Sequence, residues 1–383
     1  MLSPLQGVGA GLLALGMGLP STTPTLEASA YAGADPAGWG NRRLAAQLTF
    51  SCVDMADLAT ARRHAAAGIG GVTLLSSRPP ADLRRQLADV REVTSTRVLP
   101  FIASDEEGGT VQRLRAVIYP LPSARTMGTW SPARVRRTAD DYAQRMRRLG
   151  VRMDLAPVAD LAIPGFYMAD LRRAFSPDPQ EVRRRARAWR LGMKDAGVVT
   201  VVKHWPGHGQ ARNSHSGPAR IPPLDVLERR DLLPFEGELA DGARVVMVGH
   251  LLSEGLTRDG VPASLSARAL RYLRRSAGPD TVVVTDSLTM AAASSALGIS
   301  PARAAVRALR AGADWAMVCD GAPLRAVALI RHAIDTGGLP RAQAVASARR
   351  IVALKARSGL VRARAAKVTT ATSVPAGFAG SAR

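Results

Sequence analysis

The chain has 383 residues, of which 46% are hydrophobic and 22% charged, so it can bury a sizeable core and wholesale disorder is excluded. Aromatic residues make up 4%, too few for a stacking platform for single-stranded nucleic acid. No internal apolar run reaches about 18 residues, so no membrane-spanning helix is expected past the N-terminus. The net charge of +21 comes almost wholly from Arg, with Lys only at positions 194, 203, 355 and 367. That excess is spread over many segments, so it reads as an Arg-rich surface and not as a specific nucleic-acid site.

In chain order, residues 6–19 (QGVGAGLLALGMGL) are apolar, and Ala30-Tyr31-Ala32 before Gly33 fits a small-x-small cleavage site. Residues 1–32 are therefore expected to be a secretion signal, placing the mature protein outside the cell or in the envelope. The n-region carries no Lys or Arg, and a cytoplasmic protein with an N-terminal extension is the alternative. Residues 33–46 read as a linker. Two cysteines, Cys52 and Cys319, cannot make a disulfide framework; one bridge and two separate buried thiols both stay open.

Eight short apolar or β-branched runs follow: 47–54, 71–76, 98–105, 152–160, 198–205, 243–251, 280–287 and 314–321. They lack alternation, as strands buried on both faces do. Between them lie segments with helical spacing, the clearer ones being Ala56–Ala67, Pro80–Val93, Pro132–Leu149 and Pro179–Ala196. Ser131-Pro132, Asp178-Pro179 and Ser300-Pro301 are helix-start signals, and Gly68, Gly150, Gly197 and Gly312 are stops. Eight alternating units over residues 47–360 predict an α/β fold, a single (β/α)8 TIM-type barrel, with a solvated tail at 361–383. A doubly wound sheet would want a Gly-rich turn after the first strand, and Thr49–Ala56 has none.

A barrel gathers its chemistry at the C-terminal ends of its strands. Asp105, Asp160, Lys203-His204, His250 and Asp286 all fall at such ends. The segment KHWPGHGQARNSHSGP (203–218) holds three histidines, and Pro206-Gly207 forbids an ordinary helix there. A zinc site through His204 and His208 would need loop geometry. The other reading is a Gly-hinged loop carrying a titratable His over the barrel mouth. In DEEGGTVQRLR (105–115), Asp105 and Arg113 can both point inward to hold vicinal sugar hydroxyls, with Glu106 and Glu107 as rim or structural groups.

Together D-x-E-G-G-x-V-Q-R at 105–113, D-L-A-P-V-A-D-L at 154–161, R-A-F-S at 173–176, K-H-W-P-G-H-G at 203–209 and T-D-S-L-T-M at 285–290 resemble family 3 glycoside hydrolases, in their single-domain β-N-acetylglucosaminidase branch. The resemblance runs from about residue 47 to 356. It implies a retaining two-step mechanism with Asp286 as nucleophile and His215 as general acid/base. It further implies that Asp105, Arg113, Arg173, Lys203 and His204 hold the terminal sugar, while His208 shapes the loop. No metal or organic cofactor is implied.

One departure stands out: the family pattern has Asp two residues before the loop His, and here that residue is Asn213. The expected activity is removal of terminal β-linked N-acetylglucosamine from peptidoglycan fragments or chitin oligomers by a monomer. The rivals are a carbohydrate-binding pseudoenzyme, a β-glucosidase-like activity and a metal-dependent hydrolase using the His cluster.

Overall fold

The computed structural model describes residues 34–76, 78–213, 217–319 and 323–362. The expected secretion signal (1–32) and nearly all of the expected tail lie outside them. The strands are β1 (Thr49–Asp54), β2 (Gly71–Leu75), β3 (Phe101–Ser104), β4 (Glu106–Gly108), β5 (Val111–Gln112), β6 (Met153–Asp154) and β7 (Val199–Thr200). They continue with β8 (Val202–Trp205), β9 (Ala219–Arg220), β10 (Val245–Val248), β11 (Leu251–Leu252), β12 (Val282–Thr285) and β13 (Ala316–Val318). Each of the eight apolar runs contains a strand, and the principal strands are buried on both faces. That two-sided burial is why no alternation is visible in them.

The parallel strands form a six-stranded sheet, β13-β1-β2-β3-β6-β7, and a three-stranded sheet, β12-β10-β8. The architecture is thus α/β with parallel sheets, while hydrogen bonding is not continuous around one closed eight-stranded ring. The two sheets meet at two seams. At one, β7 runs into β8 across Val201, and Val158 makes a parallel bridge to Lys203. At the other, Val284 bridges Trp315.

Helices cover the strands as their caps dictate. Ser131, Asp178 and Ser300 each accept a hydrogen bond from a first-turn N–H of the helices Pro132–Leu149, Pro179–Asp195 and Pro301–Ala311. Residues 33–46, expected as a linker, instead contain a 3-10 turn at Pro36–Gly38 and the helix Asn41–Gln47. Leu44, Ala45 and Ala46 of that helix are buried. Its polar Asn and Arg-Arg opening hid a short apolar stripe that the core claims.

At the N-terminal ends of the strands Trp315 packs edge-on against Phe50 and Phe101, with ring centroids 4.9 and 6.0 Å away. Gly71 admits the Phe50 ring here; a Cβ at residue 71 would lie 2.1 Å from it. This end is filled, so an open cavity must lie at the other. No helix among the described residues is long and apolar enough to cross a membrane.

Candidate active site

The cavity sits where the parallel strands end. It has a volume of about 430 Å³, and Asp105, Arg113, Arg173, Lys203, His204 and Asp286 all line it. These come from four separate stretches of chain, around 105–113, 173, 203–204 and 286, and the strand-borne residues among them meet because the parallel strands place their C-terminal ends on one side. Asn213 is exposed and is not among the lining residues. His215, expected as the acid/base, lies outside the described residues.

Asp105 follows β3 directly, and Glu106 begins the β4–β5 hairpin. The hairpin turns at Gly108 and Gly109, both at positive φ, and a Cβ on Gly108 would meet the Pro122 carbonyl at 2.1 Å. Extended backbone sends alternate side chains to opposite sides. Asp105 and Glu107 therefore face Lys203, whose Nζ pairs with Asp105 and stands 2.6 Å from Glu107 Oε1. Glu107 also accepts a two-pronged pair from Arg173, Nε and Nη2 each at 2.7 Å.

Glu107, expected as a rim or structural group, is a structural one: a buried anchor between two cations. Burial works against its charge, but Arg173 and Lys203 outweigh this and hold it well below the usual carboxylate range. Lys203 is likewise opposed by burial yet kept protonated by Asp105 and Glu107. Asp105 pairs with Lys203 and not with Arg113. Arg113 joins it through the backbone, its N–H donating to the Asp105 carbonyl at 3.3 Å. The Arg113 Nε is buried without a hydrogen-bond partner in the structure, an unspent donor on a side chain that lines the cavity.

Glu106 points the other way. Its carboxyl accepts from Ser104 Oγ, from Tyr142 OH at 2.7 Å and from the Leu114 N–H at 3.2 Å. Burial pushes it up to about 8, and buried Asp154 nearby is pushed up to about 7 for the same reason.

The second acidic centre is Asp160, which the sequence marks only as a strand-end residue. It accepts from His204 Nδ1 at 2.7 Å, from the His204 N–H at 3.2 Å and from the His208 N–H at 2.7 Å. Burial opposes its charge, but His204 and His208 and these donors bring it below its ordinary value. Asp160 thus fixes the K-H-W-P-G-H-G segment from beneath and assigns the His204 Nδ1 proton. His208, buried and pushed down to about 4, stays a neutral wall residue beside Tyr167, 5.9 Å between rings. Among the described residues, which do not include His215, no group of three or more His, Cys, Asp or Glu is arranged to hold a metal ion.

Asp286 follows β12 and is partly open to the cavity. Burial raises its pKa, but His204, His250, the Ser287 N–H at 2.7 Å and Lys203 bring it down to about 2. It is therefore an ionised carboxylate with one oxygen tied to backbone. His250 supports the turn from behind: its Nε2 donates to the Ser287 carbonyl at 2.8 Å, and its Nδ1 meets Ser264 Oγ at 2.7 Å. Cys52 and Cys319, left open by the sequence, are joined in a disulfide, and both line the cavity.

The Glycosyl hydrolase family 3 N terminal domain matches residues 46–354. The chain is 38% identical over 300 residues to the Beta-hexosaminidase LpqI of Mycobacterium tuberculosis, covering 75% of this chain and 76% of that protein. A crystal structure of a GH3-family glycosyl hydrolase from Mycobacterium smegmatis superposes with a TM-score of 0.76 at 35% identity, covering 84% of this chain and 98% of that one. A family 3 β-N-acetylglucosaminidase from Paenibacillus gives a TM-score of 0.77 at 27% identity, over 86% of this chain and 65% of that one.

Proposed function

The chain belongs to glycoside hydrolase family 3 and is an enzyme of the β-hexosaminidase type, and from that premise we propose that it removes terminal β-linked N-acetylglucosamine with retention of configuration. The substrates in this reading are peptidoglycan fragments or chitin oligomers. Asp286 attacks the anomeric carbon, the bond to the leaving oxygen breaks, and His215 delivers a proton to that oxygen. A water then attacks the glycosyl-enzyme, gives its proton to His215 and releases Asp286. Asp105, Lys203, His204, Arg113 and Arg173 bind and orient the sugar hydroxyls.

The single observation that carries this reading is the cavity itself. An ionised, partly open carboxylate at Asp286 shares it with the Asp105–Lys203–Glu107–Arg173 chain of alternating charges. Such a chain is neutral in sum and rigid. It presents donors and acceptors to hydroxyls without the field of an unpaired buried charge.

We also read the two parallel sheets as two arcs of one (β/α)8 barrel, with seams at Val201 and at the Val284–Trp315 bridge. The enzyme acts as a monomer outside the cytoplasm. The Cys52–Cys319 disulfide supports export, because such bonds persist chiefly in oxidising compartments.

Asn213 favours one rival, a sugar-binding protein that has lost efficient proton transfer. Incubation with nitrophenyl N-acetylglucosaminide and nitrophenyl glucoside, each with and without phosphate, separates the readings. We expect nitrophenol release from the N-acetylglucosaminide, with free sugar as product in both buffers. Sugar binding without release would establish the rival, and faster release from the glucoside would replace the substrate assignment.

A further inference from the structure

We propose that the Cys52–Cys319 disulfide is part of the substrate-contacting wall and a thiol-exchange site that bound sugar closes. The inference rests on the reading of this cavity as the sugar site. Strand register makes the placement. Ser51 of β1 pairs with Val318 of β13, so Cys52 and Cys319 come next and face each other, with Cα atoms 4.6 Å apart. On the other side of β1, Cys52 pairs with Thr73 of β2. Cys319, Cys52 and Thr73 therefore form one row across three neighbouring strands, and all three line the cavity with Asp105, Lys203 and Asp286.

Two further observations give the row a direction. The cysteines are only 7% and 6% exposed and otherwise belong to the apolar core, so the surface they keep is the surface they show the cavity. Thr73 Oγ1 is buried with no hydrogen-bond partner in the structure. A buried hydroxyl without a partner is costly, and the cavity is where one can reach it. A sugar seated against Asp105 and Lys203 would contact this row and cover both sulfurs.

The chemistry is ordinary thiol–disulfide exchange with a small dithiol as reductant. One reductant thiolate attacks a protein sulfur, the S–S bond breaks, and the second cysteine leaves as a thiolate. The reductant's other thiolate then attacks the mixed disulfide. The protein disulfide gains two electrons, the dithiol is oxidised to its own disulfide, and its two protons finish on Cys52 and Cys319. Access to the sulfurs sets the rate, so a ligand in the cavity controls it. Severing the bond also removes the covalent tie between the ends of β1 and β13, which stay paired through their ladder, at the wall that the sugar would contact.

The test uses the full chain. Thiols released by dithiothreitol are alkylated and counted by intact mass over time, with and without N-acetylglucosamine and with sorbitol as an inert control. At ten times the sugar's dissociation constant, reduction should slow about tenfold. The reduced enzyme and the Cys52→Ala/Cys319→Ala variant should show KM raised severalfold on nitrophenyl N-acetylglucosaminide, with kcat changed less. Thr73→Val should raise KM with the disulfide intact.

Equal reduction rates in an enzyme that binds the sugar would overturn the inference and leave the glycosidase reading standing. So would an unchanged KM after reduction. Absence of both sugar binding and turnover would overturn the two together. Should the double variant fail to fold, the protection measurement on the native chain decides alone.

Discussion

Asp286 meets two requirements of a nucleophile: its carboxyl is held low, at about 2, by His204, His250, the Ser287 N–H and Lys203 against the cost of burial, and it opens onto the cavity. Asp286→Ala should lower kcat on nitrophenyl N-acetylglucosaminide by several orders of magnitude, with the circular dichroism spectrum and melting temperature close to wild type. A loss under tenfold would assign the attack elsewhere. In the proposed mechanism, residue 213 governs the proton-transfer side. Where an Asp would accept the imidazole N–H and stabilise the imidazolium, Asn213 contributes no charge. In the serine-protease triad an Asp-to-Asn change costs about 10⁴ in rate, and the loss expected here is smaller. Asn213→Asp should therefore speed hydrolysis of an unactivated disaccharide more than that of a nitrophenyl glycoside, whose leaving group needs little protonation. Equal acceleration of both would point to another proton carrier. Asp286 and Lys203-His204 were legible in the sequence because each follows an apolar run at a strand end. Glu107 was not legible, since three consecutive acids at 105–107 look alike until the backbone sends one of them the other way.

At the scale of elements, the β4–β5 hairpin is flanked by the cavity-lining Asp105 and Arg113, and Glu106 fastens it to the helix layer through Tyr142 and to its own return through the Leu114 N–H. A carboxyl pushed up to about 8 is mostly protonated at neutral pH. Its hydrogen-bonding pattern then resembles that of an amide, so Glu106→Gln should fold and keep its affinity for N-acetylglucosamine. Glu106→Ala should lose affinity as the hairpin loosens. The sign of the pH effect follows from the raised value. Between the ordinary carboxylate pKa and about 8 the native state holds a proton that the unfolded chain has released. Stability contributed by this group falls as pH rises through that window, by roughly a kcal/mol per unit at most. Denaturant titrations from pH 5 to 8 should show Glu106→Gln gaining on wild type as pH increases; parallel curves would mean that Glu106 ionises normally. The strands and capped helices were readable because period and cap chemistry are local. The hairpin and the helix Asn41–Gln47 were not, because two- and three-residue strands and a seven-residue helix owe their form to what they pack against.

At the scale of the molecule, the parallel sheets bring residues from 52 to 319 to one cavity, and the disulfide ties the first strand to the last across a sequence separation of 267 residues. That closure restricts the unfolded chain, and Cys52→Ala/Cys319→Ala should unfold with about 2–4 kcal/mol less stability, measured by denaturant titration at one pH; no change would show that the bond does not stabilise the fold. Pairing was not readable from two cysteines so far apart, whereas the register of β1 with β13 determines it at once. The Arg-rich composition was uninformative about the site, because the arginine at its centre, Arg173, is matched by a buried carboxylate. The central claim, a covalent glycosyl-enzyme on Asp286, is tested most directly by trapping. An activated fluorinated N-acetylglucosaminide should raise the intact mass by one glycosyl unit, and peptide mapping should place it on Asp286. Turnover with no trapped adduct, or an adduct on Asp105, Glu107 or Asp160, would contradict the account.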